Sequence, residues 1–468
     1  MTLAELPPYF LGLLPGRGGA ISPNLVLFPF LVLLESLYLA FAALAVGCRV
    51  LRLRRLGGDS CSSLQSFRRV RPVASAMPEG CDGLPLLSAL PMVSCIVTCY
   101  GEGRLVTRTL SSLLEQDYAG SIEVLAVVDG AVQNFTTWGA AMDMTSAQAG
   151  ASFPSRALRV IPKWVRGGRA STLNAGLVLA RGQIVLALDG DTSFDHDMVA
   201  RAVRYFREPG VVALAGTLRV RNEGENLLTR LQALDYAIYR QFVRAGLGEL
   251  NILNNIPGAH GAFRREVLLM AGGWDNGSAE DVDMSLRLRK CLGRHPGWRL
   301  RAAPDVIGHT DVPARWGDFF RQRLRWEGDP FYLFMRKHGS SLRPRCMGWR
   351  NWIYAMWYGP VFQMLMPVTM LLGLGLMLGD PARVAVQVSL AGYGAFFVIA
   401  ALVLALHLAL ISERPGRDAR LAWLLPLYPG FIFALRAWSG VAVLHSALMR
   451  SHRDSSMAPW WVLRKGRY

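Results

Sequence analysis

The sequence predicts an α/β domain joined to α-helical membrane segments, and three observations predict it. Short apolar, β-branched runs recur at MVSCIVTCY, IEVLAVVDG, ALRVIPK, QIVLALDGD and VVALAGTLRV, between residues 92 and 220. Helix-like segments separate several of them, notably 105–114 and 170–180. Long apolar stretches lie at both ends of the chain. Alternating strands and helices imply a mostly parallel sheet covered on both faces. Apolar stretches of about twenty residues match the hydrocarbon thickness of a bilayer.

Composition agrees. The 468 residues are 52% hydrophobic, with a mean hydropathy of +0.25, high for a wholly soluble protein. The net charge of +17 and pI near 10.1 fit a nucleic-acid binder or a membrane protein with a basic cytoplasmic face. No basic segment is interleaved with aromatics as in nucleic-acid modules, so no nucleic-acid partner is expected. The seven cysteines are scattered and form no CxxC pair, which argues against a disulfide framework or zinc site and fits a reducing cytosol.

The first apolar run, NLVLFPFLVLLESLYLAFAALAVGCRV (24–50), is long enough to span a bilayer and lacks a cleavage site, so it reads as an uncleaved anchor. Glu35 lies inside it, expected as a bundle-facing, protonated carboxyl. Arg49, Arg52, Arg54, Arg55, Arg68, Arg69 and Arg71 follow the run, and only Arg17 precedes it. The positive-inside rule then places the N-terminus outside and the next domain in the cytoplasm. Residues near 56–90 are rich in Gly, Ser and Pro and read as a linker. After the α/β region come apolar stretches at 352–378, 384–411 and 421–448. The first two read as spans. The third holds Pro426, Pro429, Gly430 and Arg436, and reads as a kinked span or a re-entrant hairpin. The loop SERPGRDAR (412–420) and the tail APWWVLRKGRY are both basic. If both lie inside, the third stretch must go in and out again.

In parallel α/β sheets, ligands bind at the carboxyl ends of the strands. Two strands end in acid there, at Asp129 and at Asp189/Asp191. Residues two apart on an extended segment point the same way, and Mg²⁺ or Mn²⁺ takes one or two carboxylates plus substrate phosphates. In SAEDVDMSLRL, Glu280 and Asp281 precede an amphipathic run that Ser278 is placed to cap. An acidic pair there either complements the helix dipole or supplies a general base. In FRQRLRWEGD, Gln322, Arg325 and Trp326 have i, i+3, i+4 spacing and share one helix face. An arginine fork suits phosphate oxygens, and an indole face suits the apolar side of a sugar. An interfacial helix that snorkels arginines and anchors its Trp gives the same pattern. Arg321 and Arg323 are left to lipid headgroups.

The order decides between these readings. Asp129, Asp-Gly-Asp, Glu-Asp, Gln-x-x-Arg-Trp and then membrane spans resembles the processive family 2 glycosyltransferases, which include cellulose, hyaluronan, chitin-oligosaccharide and poly-N-acetylglucosamine synthases. GGRASTLNAGL (167–177), PGAHGAFRREVLLMAGGW (257–274) and HTDVPARWGDFFRQRLRW (309–326) extend the resemblance over most of the chain from Met92. It implies a GT-A catalytic domain, a Rossmann-like mixed sheet, that takes a nucleotide-diphosphate sugar, expected as a UDP-sugar, and inverts the anomeric carbon. By motif match, Cys99, Tyr100, Glu102 and Asp129 would line the nucleoside pocket, with Arg169 near the nucleotide. Asp189 would contact the nucleotide and Asp191 would hold Mg²⁺ or Mn²⁺. Asp281 would be the base, with Glu280 beside it. Gln322 and Arg325 would bind the diphosphate, and Trp326 and residues 257–263 would border the glycan acceptor.

Departures from the family pattern are VVDG in place of Asp-Asp-Gly, Gly101-Glu102 in place of Asn-Glu, Arg169 in place of a lysine, Ala279 in place of Thr, and His260. The expected divisions are an anchor at 1–50, a basic linker at 51–90, a cytoplasmic catalytic domain at 91–345 and a membrane region at 346–468. The product would be a polysaccharide exported across a plasma membrane, with accessory export subunits unspecified. A non-processive transferase acting on a lipid, or a scaffold with a decayed catalytic domain, stays open as an alternative.

Overall fold

The computed structural model describes residues 34–48, 50, 84, 87–149, 155–275, 279–378 and 382–449. An eight-stranded mixed sheet organises it. The strands are β1 (Val93–Cys99), β2 (Ile122–Asp129), β3 (Arg156–Lys163), β4 (Ile184–Asp189), β5 (Ser193–Phe194), β6 (Val211–Val220), β7 (His260–Arg264) and β8 (Arg299–Thr310), in spatial order β3-β2-β1-β4-β7-β6-β8-β5. The first four are mutually parallel, β7 runs antiparallel between β4 and β6, and β6 and β8 are parallel. The five apolar runs expected as strands are β1, β2, β3, β4 and β6. Both β1 and β2 are buried at every position, as a sheet covered on two faces requires. The register pairs Thr98 with Asp189 and Asp129 with Lys163, so these polar side chains collect at one carboxyl edge.

The helices at 105–114 and 170–180 form as α1 (Val106–Leu114) and α2 (Arg169–Leu179). On α1, Val106, Thr109, Leu110 and Leu113 are buried, the i, i+3, i+4, i+7 stripe of a helix on a sheet. Beyond β6, α3 (Leu227–Asp235) continues into a π-helical segment, Tyr236–Val243, and then α4 (Arg244–Glu249). Asn226 starts this rod with a capping box shared with Thr229. Helix α5 (Glu280–Cys291) follows β7, and α6 (Trp316–Phe331) follows β8. One apolar core packs Val97, Leu110, Val124 and Phe206 on one sheet face. The other runs without a break from Ile96, Leu125 and Leu173, through Phe242, to Phe396 and Tyr428 among the C-terminal helices.

Among the described residues, three helices are long and apolar enough to cross a membrane: Trp349–Met377, Ser389–Leu410 and Tyr428–Met449. The apolar helix Leu34–Cys48 is shorter; the rest of the expected first span and most of the linker lie outside the described residues, as does the basic tail. The third C-terminal stretch does not reverse. Short helical turns over Pro415–Asp418 and Ala419–Leu424 precede one continuous helix, α7 (Tyr428–Met449). Pro429 sits in its first turn, where a missing N–H breaks no helical bond. The loop between the last two of these helices packs on the α/β domain: Arg219 pairs with Glu413 at 2.6 Å and Asp418 at 2.9 Å, and Arg417 with Glu223 at 2.5 Å. Helix α6 lies along α7, where Trp438 Nε1 donates to the Phe320 carbonyl at 2.9 Å. Glu35 faces the bundle, where it pairs with Arg436 at 2.8 Å and accepts from the Tyr239 hydroxyl.

Candidate active site

A cavity of about 350 Å³ opens where the carboxyl edge of the sheet meets α5, α6 and the C-terminal helices. Its lining includes Arg169, Asp189, Glu280, Asp281, Arg325 and Trp326. Six of the residues singled out from sequence, drawn from four separate segments, therefore surround one space.

Arg169 organises its floor. Its Nε and NH2 donate to Asp189 Oδ1 at 3.0 and 2.5 Å, and its NH1 donates to Glu280. Burial opposes the charge, but Asp189 and Glu280 outweigh it and hold the guanidinium above its ordinary value. Burial, reinforced by Asp281, raises Glu280 in spite of Arg169. The fit is tight: a Cβ at Gly258 would lie 2.4 Å from Arg169 NH1 and 3.2 Å from Glu280 Oε1.

Asp281 is half-buried at the first turn of α5. Its Oδ2 accepts weak bonds from Asn255 Nδ2 at 3.2 Å and Gly258 N–H at 3.3 Å, and its Oδ1 accepts from Val282 N–H at 2.8 Å. The helix starts at Ala279, which is in the left-handed region at φ 57° and makes no side-chain cap bond. The expected cap, Ser278, lies outside the described residues.

Residues expected on the nucleoside side cluster beyond Asp189. Thr98 Oγ1 donates to Asp189 Oδ1 at 3.2 Å. Glu102 packs against Gly190 and accepts from Tyr100 N–H at 2.9 Å, while its Oε2 is buried without a partner. Burial pushes the Glu102 carboxyl up to about 7. Asp191 opens to solvent, yet the packing around its carboxyl, with Asp189, pushes it up to about 6. Tyr100 is exposed, with Arg166 stacked 4.4 Å over its ring.

Four expectations shift. Asp129 stands at the strand end but is buried and fully engaged: it accepts from Lys163 Nζ at 2.7 Å and from the N–H groups of Gly167 and Gly168 at 2.8 Å each, which fixes the turn before Arg169. Cys99 is fully buried in the core, its thiol raised by burial, because β1 is covered on both faces. His260 is likewise a core residue: its Nδ1 meets the Thr217 carbonyl at 3.2 Å and burial lowers it to about 4, so only Pro257, Gly258 and Ala259 of that motif reach the cavity. On α6 the cavity takes Arg325 and Asp329 together with Arg323, Trp326, Glu327 and Pro330, which form an i, i+3, i+4, i+7 face. That face is rotated away from Gln322, whose Oε1 is buried without a partner.

Arg323 therefore does not reach for headgroups. It is buried, pairs with Asp235 at 3.5 Å and Glu327 at 3.7 Å, and lies 5.1 Å over the Trp326 ring. Lys163, Asn255, Arg240 and Arg244 are the residues at or beside the site that sequence reasoning missed. Lys163 ends a strand that the sequence does show; the others carry no motif.

Residues 91–328 match the family model described as "Glycosyltransferase like family 2". The chain belongs to this family. Among its relatives is a protein of Neorhizobium galegae named N-acetylglucosaminyltransferase, 28% identical over 304 residues that cover 61% of this chain and 65% of that one. Another is the poly-beta-1,6-N-acetyl-D-glucosamine synthase of Staphylococcus epidermidis, 25% identical over 256 residues, 54% of this chain and 58% of that one. The chain thus spans less than two thirds of the length of these relatives. Among solved structures, a mannosyltransferase of Pyrobaculum calidifontis in complex with GDP-Man and Mn²⁺ has a TM-score of 0.49 at 20% identity, covering 88% of this chain and 99% of that one.

The residues of this family 2 domain fit a hard divalent cation that is completed by substrate. No group of three His, Cys, Asp or Glu side chains is arranged as a metal cage among the described residues. Asp191 nonetheless presents an exposed carboxylate, with Thr192 Oγ1 donating to its Oδ1 at 3.1 Å. Mg²⁺ or Mn²⁺ held by one or two carboxylates and two phosphates needs no more from the protein.

Proposed function

We propose that the chain transfers a sugar from a nucleotide-diphosphate sugar, a UDP-sugar, to a growing glycan at a membrane, with inversion at C1. The observation that carries this reading is the single cavity shared by Asp189, Asp281, Arg325 and Trp326. The names of the relatives make N-acetylglucosamine the first sugar to test.

In this reading Asp281 takes the proton from the acceptor hydroxyl as it attacks C1. The contacts to its Oδ2 are long, 3.2 and 3.3 Å, and leave that oxygen able to accept a proton. Arg325 faces the departing diphosphate, where a guanidinium suits paired phosphate oxygens. Asp191 would hold Mg²⁺ or Mn²⁺, which when bound supplies Lewis-acid stabilisation of the leaving group. Arg169 fixes Asp189 and Glu280 so that the donor meets a preorganised floor. Trp326 borders the acceptor, and Tyr38, Tyr239, Tyr358 and Phe362 carry the cavity on toward the membrane helices. The α/β domain would lie on the cytoplasmic side of a plasma membrane, with the three C-terminal helices as spans and the glycan passing outward.

The test is to incubate the purified chain in detergent or nanodiscs with a panel of UDP-sugars and measure released UDP with and without divalent cation. One sugar should give metal-dependent release and a product that lengthens on a gel. Release from none of them would overturn the reading, and a single-sugar lipid product would replace the glycan with a lipid acceptor.

A further inference from the structure

We propose that Arg240 and Arg244 form an anion-binding subsite on the acceptor side of the cavity, so that the acceptor carries an oxyanion, either a glycan carboxylate or a lipid phosphate. The inference rests on the transferase reading above and adds the chemical class of the acceptor.

Both residues line the cavity. They stand four apart where the π-helical segment Tyr236–Val243 passes into α4, so they lie on one side of the rod. Three other guanidiniums in the lining have carboxylate partners. Arg169 holds Asp189 and Glu280, Arg323 holds Asp235 and Glu327, and Arg436 holds Glu35. Arg240 and Arg244 have no carboxylate within 4.0 Å among the described residues, because the nearby Asp235 and Glu327 are taken by Arg323.

Their contacts leave the hydrogen-bonding edges open. Arg240 is held by its face, 5.3 Å over the Trp326 ring and 5.6 Å over Tyr236. A guanidinium stacked this way keeps its N–H edge for a bidentate oxyanion. Arg244 spends one N–H on the Gly216 carbonyl, at 3.4 Å. No nitrogen of either residue is among the sealed, unsatisfied polar atoms, so the remaining N–H groups open into the cavity. Two neighbouring cations, Arg244 buried and Arg240 half-buried, with no carboxylate in pairing distance are costly to fold, and a ligand anion removes that cost. Contact between Arg240 and Trp326 places the subsite beside the ring assigned to the acceptor.

The experiment is equilibrium binding to the full chain in nanodiscs, which needs no turnover. Trigalacturonate is compared with its neutral methyl ester, and a fluorescent phosphatidate with the matching diacylglycerol. One charged probe should bind about tenfold tighter than its neutral partner, and Arg240→Gln or Arg244→Gln should each lose roughly that factor, the worth of a charge-assisted hydrogen bond. Arg240→Lys and Arg244→Lys, which keep the charge, should retain most of it, and UDP affinity should be unchanged in all four variants. A win for trigalacturonate assigns a uronate-bearing glycan, and a win for phosphatidate assigns a lipid phosphate. The proposal is overturned if neither charged probe outbinds its neutral partner, if the Lys variants lose as much as the Gln variants, or if UDP affinity falls in parallel, which would give the pair to the donor. A chain that binds the charged probe but releases UDP from no sugar nucleotide would defeat the transferase reading alone.

Discussion

Replacing Arg169 with methionine removes the cation that holds Asp189 and Glu280 together across the cavity floor. Glu280 is buried, and Arg169 is its hydrogen-bonding cation. Breaking a buried pair from one side costs about 3–5 kcal/mol, because the remaining charge is left uncompensated. The variant can escape that cost only by protonating Glu280, whose carboxyl already sits above its ordinary value through burial. Its folded value would rise further. The folded variant then keeps a proton that the unfolded chain has released, so stability falls as pH rises above the ordinary carboxylate range. Thermal unfolding in detergent should show a small deficit near about pH 5 and the full one near about pH 8, in line with that linkage. The double variant Arg169→Met/Glu280→Gln should regain most of the loss at the higher pH, since it removes the stranded charge. Equal melting of wild type and Arg169→Met at both pH values, or a double variant no better than the single, would refute the bridging role.

Three further outcomes follow from the same geometry. Asp191→Ala should abolish the part of UDP affinity that depends on Mg²⁺ or Mn²⁺, measured by titration calorimetry with and without cation; unchanged metal-dependent affinity removes Asp191 from that role. Asp283 accepts from His338 and Lys337 at 2.7 Å and Arg287 at 2.8 Å, and although burial opposes it, these groups hold its carboxyl below the ordinary value. Asp283→Asn should therefore cost about 3 kcal/mol near neutral pH, and the gap to wild type should close as pH falls below about 4, where the aspartate would lose its advantage; a pH-independent gap contradicts this. Arg323→Ala should lower the melting temperature by several degrees, whereas Arg321→Ala, which breaks an exposed pair with Asp318, should change stability by less than about 1 kcal/mol. The opposite ranking would return Arg323 to the headgroups.

Five of the eight strands were legible because they are short apolar, β-branched runs that a sequence shows directly, whereas β5, β7 and β8 carry no such signal; of the acids at the carboxyl ends, Asp189 lines the cavity. Glu280 and Asp281 were equally visible, as an acidic pair ahead of an amphipathic run. What stayed hidden depends on contacts between distant segments. Arg169 reads as a lysine substitute near a nucleotide, and nothing local reveals that it reaches Glu280, 111 residues away. Asp129 looks available in sequence, but the turn before Arg169 engages both of its oxygens. The spacing of Gln322, Arg325 and Trp326 gave the right helix and brought Arg325 and Trp326 to the cavity but not Gln322, because helical spacing cannot say which neighbour the edge of a face meets. Arg323 was misread for the same reason: an arginine beside an apolar region suits a membrane surface equally well until Asp235 is seen opposite it. The prolines at 426 and 429 suggested a hairpin, yet a proline in the first turn of a helix leaves the helix intact.

The most direct test of the account is Asp281→Asn in the purified chain, assayed with the best UDP-sugar for both transferred sugar and UDP binding. The substitution keeps the shape and removes the proton acceptor. Transfer should fall by at least about two orders of magnitude, the scale of a general base, while UDP affinity stays within about twofold of wild type. Transfer near the wild-type rate would contradict the central claim that Asp281, at the start of α5, is the base of this cavity.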